Sequence, residues 1–171
     1  MIKNLLQNYI KDYKITLTEN QYEQFQKYFE LLVERNEKMN LTAITDESGV
    51  ALKHFADSLS LLNFVDIPQN SSLADVGTGA GFPGIVLKIA RPDIKLTLID
   101  SLNKRLVFLN EVCSQLGIDA ELIHSRAEDG ARDEKLRESF DFAVSRAVAR
   151  MNVLSELQRS EERRVGKECR S

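Results

Sequence analysis

The sequence predicts an α/β fold, with a parallel sheet of about four strands behind an N-terminal helical module. Three observations carry that expectation. Apolar residues recur at helical spacing through residues 1–66. From Ser72 onward, short apolar runs alternate with helix-like stretches, and a cluster of glycines stands at the first strand-to-helix junction. Strands that alternate with helices are joined by right-handed crossovers and lie parallel.

The elements follow in order. Thr18-Glu-Asn-Gln21 is a capping box, in which the Thr hydroxyl takes the Gln21 amide and the Gln side chain reaches back. Tyr22, Phe25, Phe29, Leu32 and Val33 then mark one face of a helix. Leu52, Phe55, Leu59 and Leu62 mark a second helix from Gly49 to Phe64, and the turn-rich stretch from Asp66 to Ser72 links it to the rest. Ser72–Val76, Lys95–Ile99, Ala120–Ile123 and Phe140–Ser145 read as strands. Helices are expected over Phe82–Ala90, over Lys104–Gly117 with Gly117 as its stop, and from Asn152 to Leu157. The division expected is therefore 1–66 for the helical module and 67–158 for the sheet domain. Residues 159–171, polar and without an apolar stripe, read as one frame of a sequencing adapter and are expected to be foreign to the native chain.

Composition narrows the classes. With 43% apolar and 29% charged residues the chain is ordinary for a globular protein. No apolar run nears the ~18–20 residues of a membrane span. The first ten residues lack the core and cleavage site of a signal peptide, so a cytoplasmic location is expected. Cys113 and Cys169 stand far apart, with only His54 and His124 to join them, so neither a metal site nor a disulfide is expected. Cys113 falls among helical positions as a small buried residue. A net charge of −3 counts mildly against a nucleic-acid partner, although a local basic patch would suffice.

The most informative stretch is Asp75-Val-Gly77-Thr-Gly79-Ala-Gly81-Phe82-Pro-Gly84, which follows a strand and opens a helix. Glycines there admit positive φ and let a ligand approach bare backbone, and the helix start adds amide donors. Gly79, Gly81 and Gly84 also spell GxGxxG, with Asp100 about 20 residues on, the fingerprint of a nicotinamide site. Asp75 weighs the other way, because a carboxylate two residues before the first glycine repels a pyrophosphate and attracts the cationic groups of S-adenosylmethionine. Asp100 ends the second strand at the edge where such sheets bind ligands; it can hold ribose hydroxyls or cap the next helix. Ala127 and Glu128, after the third strand, are placed to line an adenine.

With those residues in view, the chain resembles the 16S rRNA (guanine-N7) methyltransferase family, RsmG or GidB. The resemblance runs through Glu34–Thr42, His54-Phe-Ala-Asp57-Ser58, Asp75–Gly84, Asp100–Leu109, Arg126-Ala-Glu128 and Ser145–Ala149. It departs at Arg35, where the family usually carries Trp or a similar residue. The resemblance implies a class I methyltransferase, Rossmann-like sheet and S-adenosyl-L-methionine as cofactor. It implies Gly77, Phe82, Ala127, Glu128 and Arg146 as cofactor residues, which join Asp75, Gly79, Gly81 and Asp100 from the loop reading, with Arg146 also the catalytic candidate. The implied substrate is a guanine in 16S rRNA of the small subunit, with Lys104, Arg105 and Arg150 on its phosphates, no metal, no membrane and a monomeric enzyme. Later strands and helices of the family have no counterpart, so the chain is expected to be C-terminally truncated and inactive by itself. A methyltransferase-like binding protein without turnover and an NAD(P)-dependent oxidoreductase stay open as alternatives. Guanine N7 carries a lone pair and no proton, so its methylation needs alignment rather than a base. His54, with Asn40, Asp57 and Ser58, is a further candidate for a functional contact.

Overall fold

The computed structural model describes residues 1–146 and 155–158. Four parallel strands, β1 (Ser72–Val76), β2 (Lys95–Asp100), β3 (Ala120–His124) and β4 (Phe142–Val144), lie in the order β3-β2-β1-β4. The register pairs Val76 with Ile99 and Asp100 with His124, so the carboxyl ends of β1, β2 and β3 form one edge. The parallel sheet is as expected, and β4 is shorter than the run that predicted it.

The helices are α1 (Ile2–Tyr9), α2 (Glu19–Met39), α3 (Glu47–Val50), a π-helical segment (Ala51–Ala56), α4 (Asp57–Phe64), α5 (Gly84–Ala90), α6 (Asn103–Leu116) and α7 (Ala127–Arg132). Both bonds of the Thr18–Gln21 capping box form. The buried face of α2 is rotated from the expected one. Tyr28 and Leu31 are buried with Phe25 and Leu32, while Phe29 and Val33 are only partly covered. The second expected helix runs from 47 to 64, but its middle is π-helical. That extra residue per turn shifts the phase. Ala51, His54 and Phe55 therefore face inward while Leu52 is turned out. Helix α1 was not singled out, although Ile2, Leu6 and Ile10 are buried at helical spacing. Residues 155–157 are helical beside β4, whereas the start of the helix expected from Asn152 lies outside the described residues.

Strand alternation sorts the side chains. Leu73, Leu96 and Leu98 join α1, α2, α5 and α6 in one large core, so the helical segment and the sheet share a single interior. Ala74, Val76 and Ile99 face the other side, with Ala131, Phe140 and Leu157. Period-two alternation thus puts Asp75 on the face of Leu73, beneath the start of α5. Helix α2 is keyed to that face by polar groups as well. Gln21 Nε2 donates to the carbonyls of Ile89 and Ala90 (2.7 and 3.1 Å), and Gln24 Nε2 to that of Leu116 (2.8 Å). These close the carbonyl ends of α5 and α6, which have no partners within their own helices. Arg35, the departure from the family pattern, pairs with Glu111 of α6 at 2.6 Å. Fully buried side chains such as Phe25, Phe55 and Leu59 contribute roughly 1.5–3 kcal/mol each, which fixes the helical segment on the sheet.

Candidate active site at the glycine loop

The loop after β1 turns on three glycines in the left-handed region, Gly77 (φ 66°), Gly79 (φ 60°) and Gly81 (φ 103°). The Gly77 and Thr78 amides donate to the Ile99 carbonyl of β2 at 2.8 and 3.1 Å, which draws the loop across the carboxyl edge. Gly81 is a matter of fit. A Cβ there would lie 2.5 Å from the Tyr28 hydroxyl and 2.8 Å from Ile85 Cδ1. Gly79 differs, since a Cβ would meet nothing within 4 Å, so its bare backbone borders open space. Helix α2 supports the turn directly, with the buried Tyr28 hydroxyl donating to the Ala80 carbonyl at 2.6 Å. Sequence reasoning missed Tyr28. Its position three residues after Phe25 was the available signal, but Phe29 fits the same stripe.

Two carboxylates lie under and beside the loop. Asp75 is fully buried, and its Oδ2 accepts from the Thr78 hydroxyl and the Gly84 amide, both at 2.8 Å. Its Oδ1 is buried without a hydrogen-bond partner. Burial raises its pKa to about 7, against the lowering effect of those two donors. Asp100 Oδ2 accepts from the Gly79 amide at 2.9 Å, and Oδ1 from the Leu102 amide at 2.9 Å. Asp100 therefore braces the loop from β2. It does not stand at the N-cap of α6, which is Leu102.

Phe82, Arg146 and His54 meet beside the loop. The Phe82 ring stacks on His54 (centroids 4.5 Å apart, 14° between planes) and on Tyr28 (5.4 Å). Arg146, just beyond β4, stands 5.1 Å over the Phe82 ring. It donates to His54 Nδ1 at 2.9 Å and to the Lys53 carbonyl at 3.2 Å, and lies 3.9 Å from Asp57. Desolvation, then the charge of Arg146, hold the His54 pKa down to about 4. The ring is therefore neutral at ordinary pH.

The remaining candidates lie along the same edge. Ala127 and Glu128 open α7; Ala127 is half-buried and Glu128 exposed. Lys104 and Arg105 are in the first turn of α6. Lys104 is exposed, whereas Arg105 is 3.5 Å from Asp100, a carboxylate partner where a phosphate was expected. Arg150 lies outside the described residues. Two clefts, of about 620 and 380 Å³, are lined by Lys14, Phe64 and Arg91 and by Tyr13, Leu52 and Asp57, apart from the glycine loop. Among the described residues no cluster of His, Cys, Asp or Glu is arranged for a metal, and no helix is long and apolar enough to cross a membrane.

Comparison with known proteins gives this geometry a context. Residues 21–167 match the family model GidB, rRNA small subunit methyltransferase G. A ribosomal RNA small subunit methyltransferase G of Desulforamulus reducens is 54% identical over 147 residues, covering 85% of this chain and 61% of that protein. Its namesake in Clostridium beijerinckii is 53% identical over 155 residues, 90% of this chain and 65% of that protein. The chain thus spans a little over three-fifths of the length of the curated relatives it matches. Among solved structures, a Plasmodium falciparum chain described as a protein-L-isoaspartate O-methyltransferase, in complex with S-adenosyl-L-homocysteine, aligns with a TM-score of 0.55. It is 19% identical, covers 91% of this chain and 78% of its own, and shares the fold.

Proposed function

The chain belongs to the rRNA small subunit methyltransferase G family, and on that premise we propose that it serves methyl transfer from S-adenosyl-L-methionine to N7 of a guanine in 16S rRNA. One observation carries the choice of cofactor. Asp75 is a fully buried carboxylate with an unpartnered Oδ1 beneath a loop of backbone glycines. A ligand with ammonium and sulfonium charges would draw that carboxyl toward its ionised form, whereas a pyrophosphate would raise its pKa further and oppose binding. The same loop commits its Gly79 amide to Asp100, which leaves one donor fewer for a phosphate and weakens the nicotinamide alternative.

The residues fit such a cofactor. Gly77, Gly79, Gly81 and Phe82, with Asp75 below, would hold its amino-acid and sulfonium end. Asp100 would take the ribose hydroxyls, and Ala127 with Glu128 would border the adenine. Arg146, beside Phe82, would face the guanine or a neighbouring phosphate. Lys104, Arg105 and Arg150 would meet the RNA backbone, with Arg105 exchanging its pairing to Asp100 for a phosphate. When bound, S-adenosyl-L-methionine supplies an electrophilic methyl group. The protein's own part is alignment and exclusion of water, because N7 has a free lone pair and no proton to lose. His54, with a pKa near 4 and both ring nitrogens engaged, is poorly suited to act as a base, and N7 chemistry asks for none.

The experiment is methyl transfer to small-subunit RNA by the full-length protein, with the modified nucleoside identified by mass spectrometry. The expected product is 7-methylguanosine. Methylation of an exocyclic amine would overturn the N7 assignment.

A further inference from the structure

Thr42 and the stretch His54-Phe-Ala-Asp57-Ser58 have no role in the cofactor contacts above, yet His54 and Asp57 flank Arg146 and Thr42 bonds His54. We infer that His54 is a positioning residue that holds the Arg146 guanidinium over the Phe82 ring. The inference rests on the reading of Phe82 and Arg146 as parts of the methyl-transfer site and adds the group that sets their relative placement.

Hydrogen-bond polarity makes the case. A guanidinium has only donors. The 2.9 Å contact from Arg146 Nη2 therefore requires the lone pair on His54 Nδ1. The ring proton then sits on Nε2, which donates to Thr42 Oγ1 at 2.8 Å. Thr42 is itself fixed, because its amide donates to Asn36 Oδ1 (2.8 Å) and its hydroxyl oxygen accepts from the Ile44 amide (3.1 Å). A chain of single-sense bonds thus runs from the end of α2 through Thr42 and His54 to Arg146. The imidazole is 6% exposed and near-parallel to Phe82, so its plane is set by the loop as well. The other groups facing the guanidinium, the Lys53 carbonyl at 3.2 Å and Asp57 at 3.9 Å, come from the same helical segment. Lys53 and His54 lie in the π-helical stretch, a local form common at functional sites. Its changed phase is what turns His54 inward beside Phe82. A protonated His54 would lose the acceptor and face Arg146 as a second cation, and burial keeps that form away.

The test has two arms on the chain as it exists. Nitrogen NMR of the two histidines, His54 and His124, reads the tautomer without any cofactor. His54 should show an unprotonated Nδ1 and a protonated Nε2, and Arg146→Ala should shift the Nδ1 resonance. A protonated Nδ1, or an Nδ1 indifferent to Arg146→Ala, overturns the inference. The second arm is S-adenosyl-L-methionine affinity. His54→Phe, which keeps the ring but not the acceptor, should weaken it at least fivefold. His54→Asn, with an amide oxygen close to the Nδ1 place, should restore most of that loss. In an Arg146→Ala background His54→Phe should add nothing. Additive losses, or no recovery in His54→Asn with melting temperature preserved, would make His54 merely structural and overturn the inference. If the NMR coupling is present but the unaltered chain binds no S-adenosyl-L-methionine, His54 still positions Arg146, and the methyltransferase reading is what fails.

Discussion

Asp75→Asn separates the two consequences of burying Asp75. Its pKa is lifted from 3.8 to about 7, chiefly by desolvation. The shift is about three units, and at 1.36 kcal/mol per unit the ionised side chain costs the fold about 4 kcal/mol. The folded carboxyl keeps its proton up to about pH 7, whereas the unfolded one loses it near 3.8. Over that window the folded state binds more protons, so this contribution to stability falls as pH rises and levels off above pH 7. Asn keeps an oxygen for the Gly84 amide and the Thr78 hydroxyl and never ionises. The variant's stability advantage over the parent should therefore grow by roughly 2–4 kcal/mol between pH 4 and pH 8. His54 works in the opposite sense. Its pKa, depressed to about 4, removes stability as pH falls from about 6.5, but it does so in both proteins and cancels in the difference. Urea denaturation of both chains at pH 4, 6 and 8 measures the difference. A stability difference independent of pH, or one that shrinks as pH rises, would refute the reasoning. The same substitution should lower affinity for S-adenosyl-L-methionine, so stability gained at pH 8 is set against function.

Two further substitutions probe the support of the loop. Tyr28→Phe removes the 2.6 Å bond to the Ala80 carbonyl and should cost roughly 1–3 kcal/mol in denaturant titration, with S-adenosyl-L-methionine binding weakened as the loop loosens. Gly81→Ala combines a φ of 103° with a Cβ 2.5 Å from the Tyr28 hydroxyl. Strain and overpacking together should cost roughly 2–5 kcal/mol. The melting temperature reads it, and in the Tyr28→Phe background the cost should be less than additive.

The parallel strands, the glycine loop and Asp100 at the strand end were legible because each has a local signal: an apolar run, a glycine spacing, an acid at a run's end. Hydrophobic period alone did not decide which face of α2 is buried. Tyr28 and Phe29 both fit a 3.6-residue repeat, and the Ala80 carbonyl, 52 residues away, selects Tyr28. The π-helical segment carries no sequence mark, so Leu52 read as core when the shifted phase exposes it. Helix α7 leaves little signal in the sequence, because it is six residues long and Arg126 gives it no side-chain cap. Arg105 and Arg146 drew attention as cations for RNA or cofactor. Arg105 pairs with Asp100, five residues before it, whereas the partners of Arg146, His54 and the Lys53 carbonyl, come from more than 90 residues away.

The site proposed at the Asp75 loop and Asp100 takes a cationic, phosphate-free nucleoside. Isothermal titration of one sample with S-adenosyl-L-methionine and with NAD tests it most directly. The expected result is saturable binding of S-adenosyl-L-methionine, none of NAD at comparable concentration, and a ten- to hundredfold loss in Asp100→Ala, roughly the 1.5–3 kcal/mol of bonds to a charged acceptor. Preferential binding of NAD, or S-adenosyl-L-methionine affinity unchanged in Asp100→Ala, would contradict it.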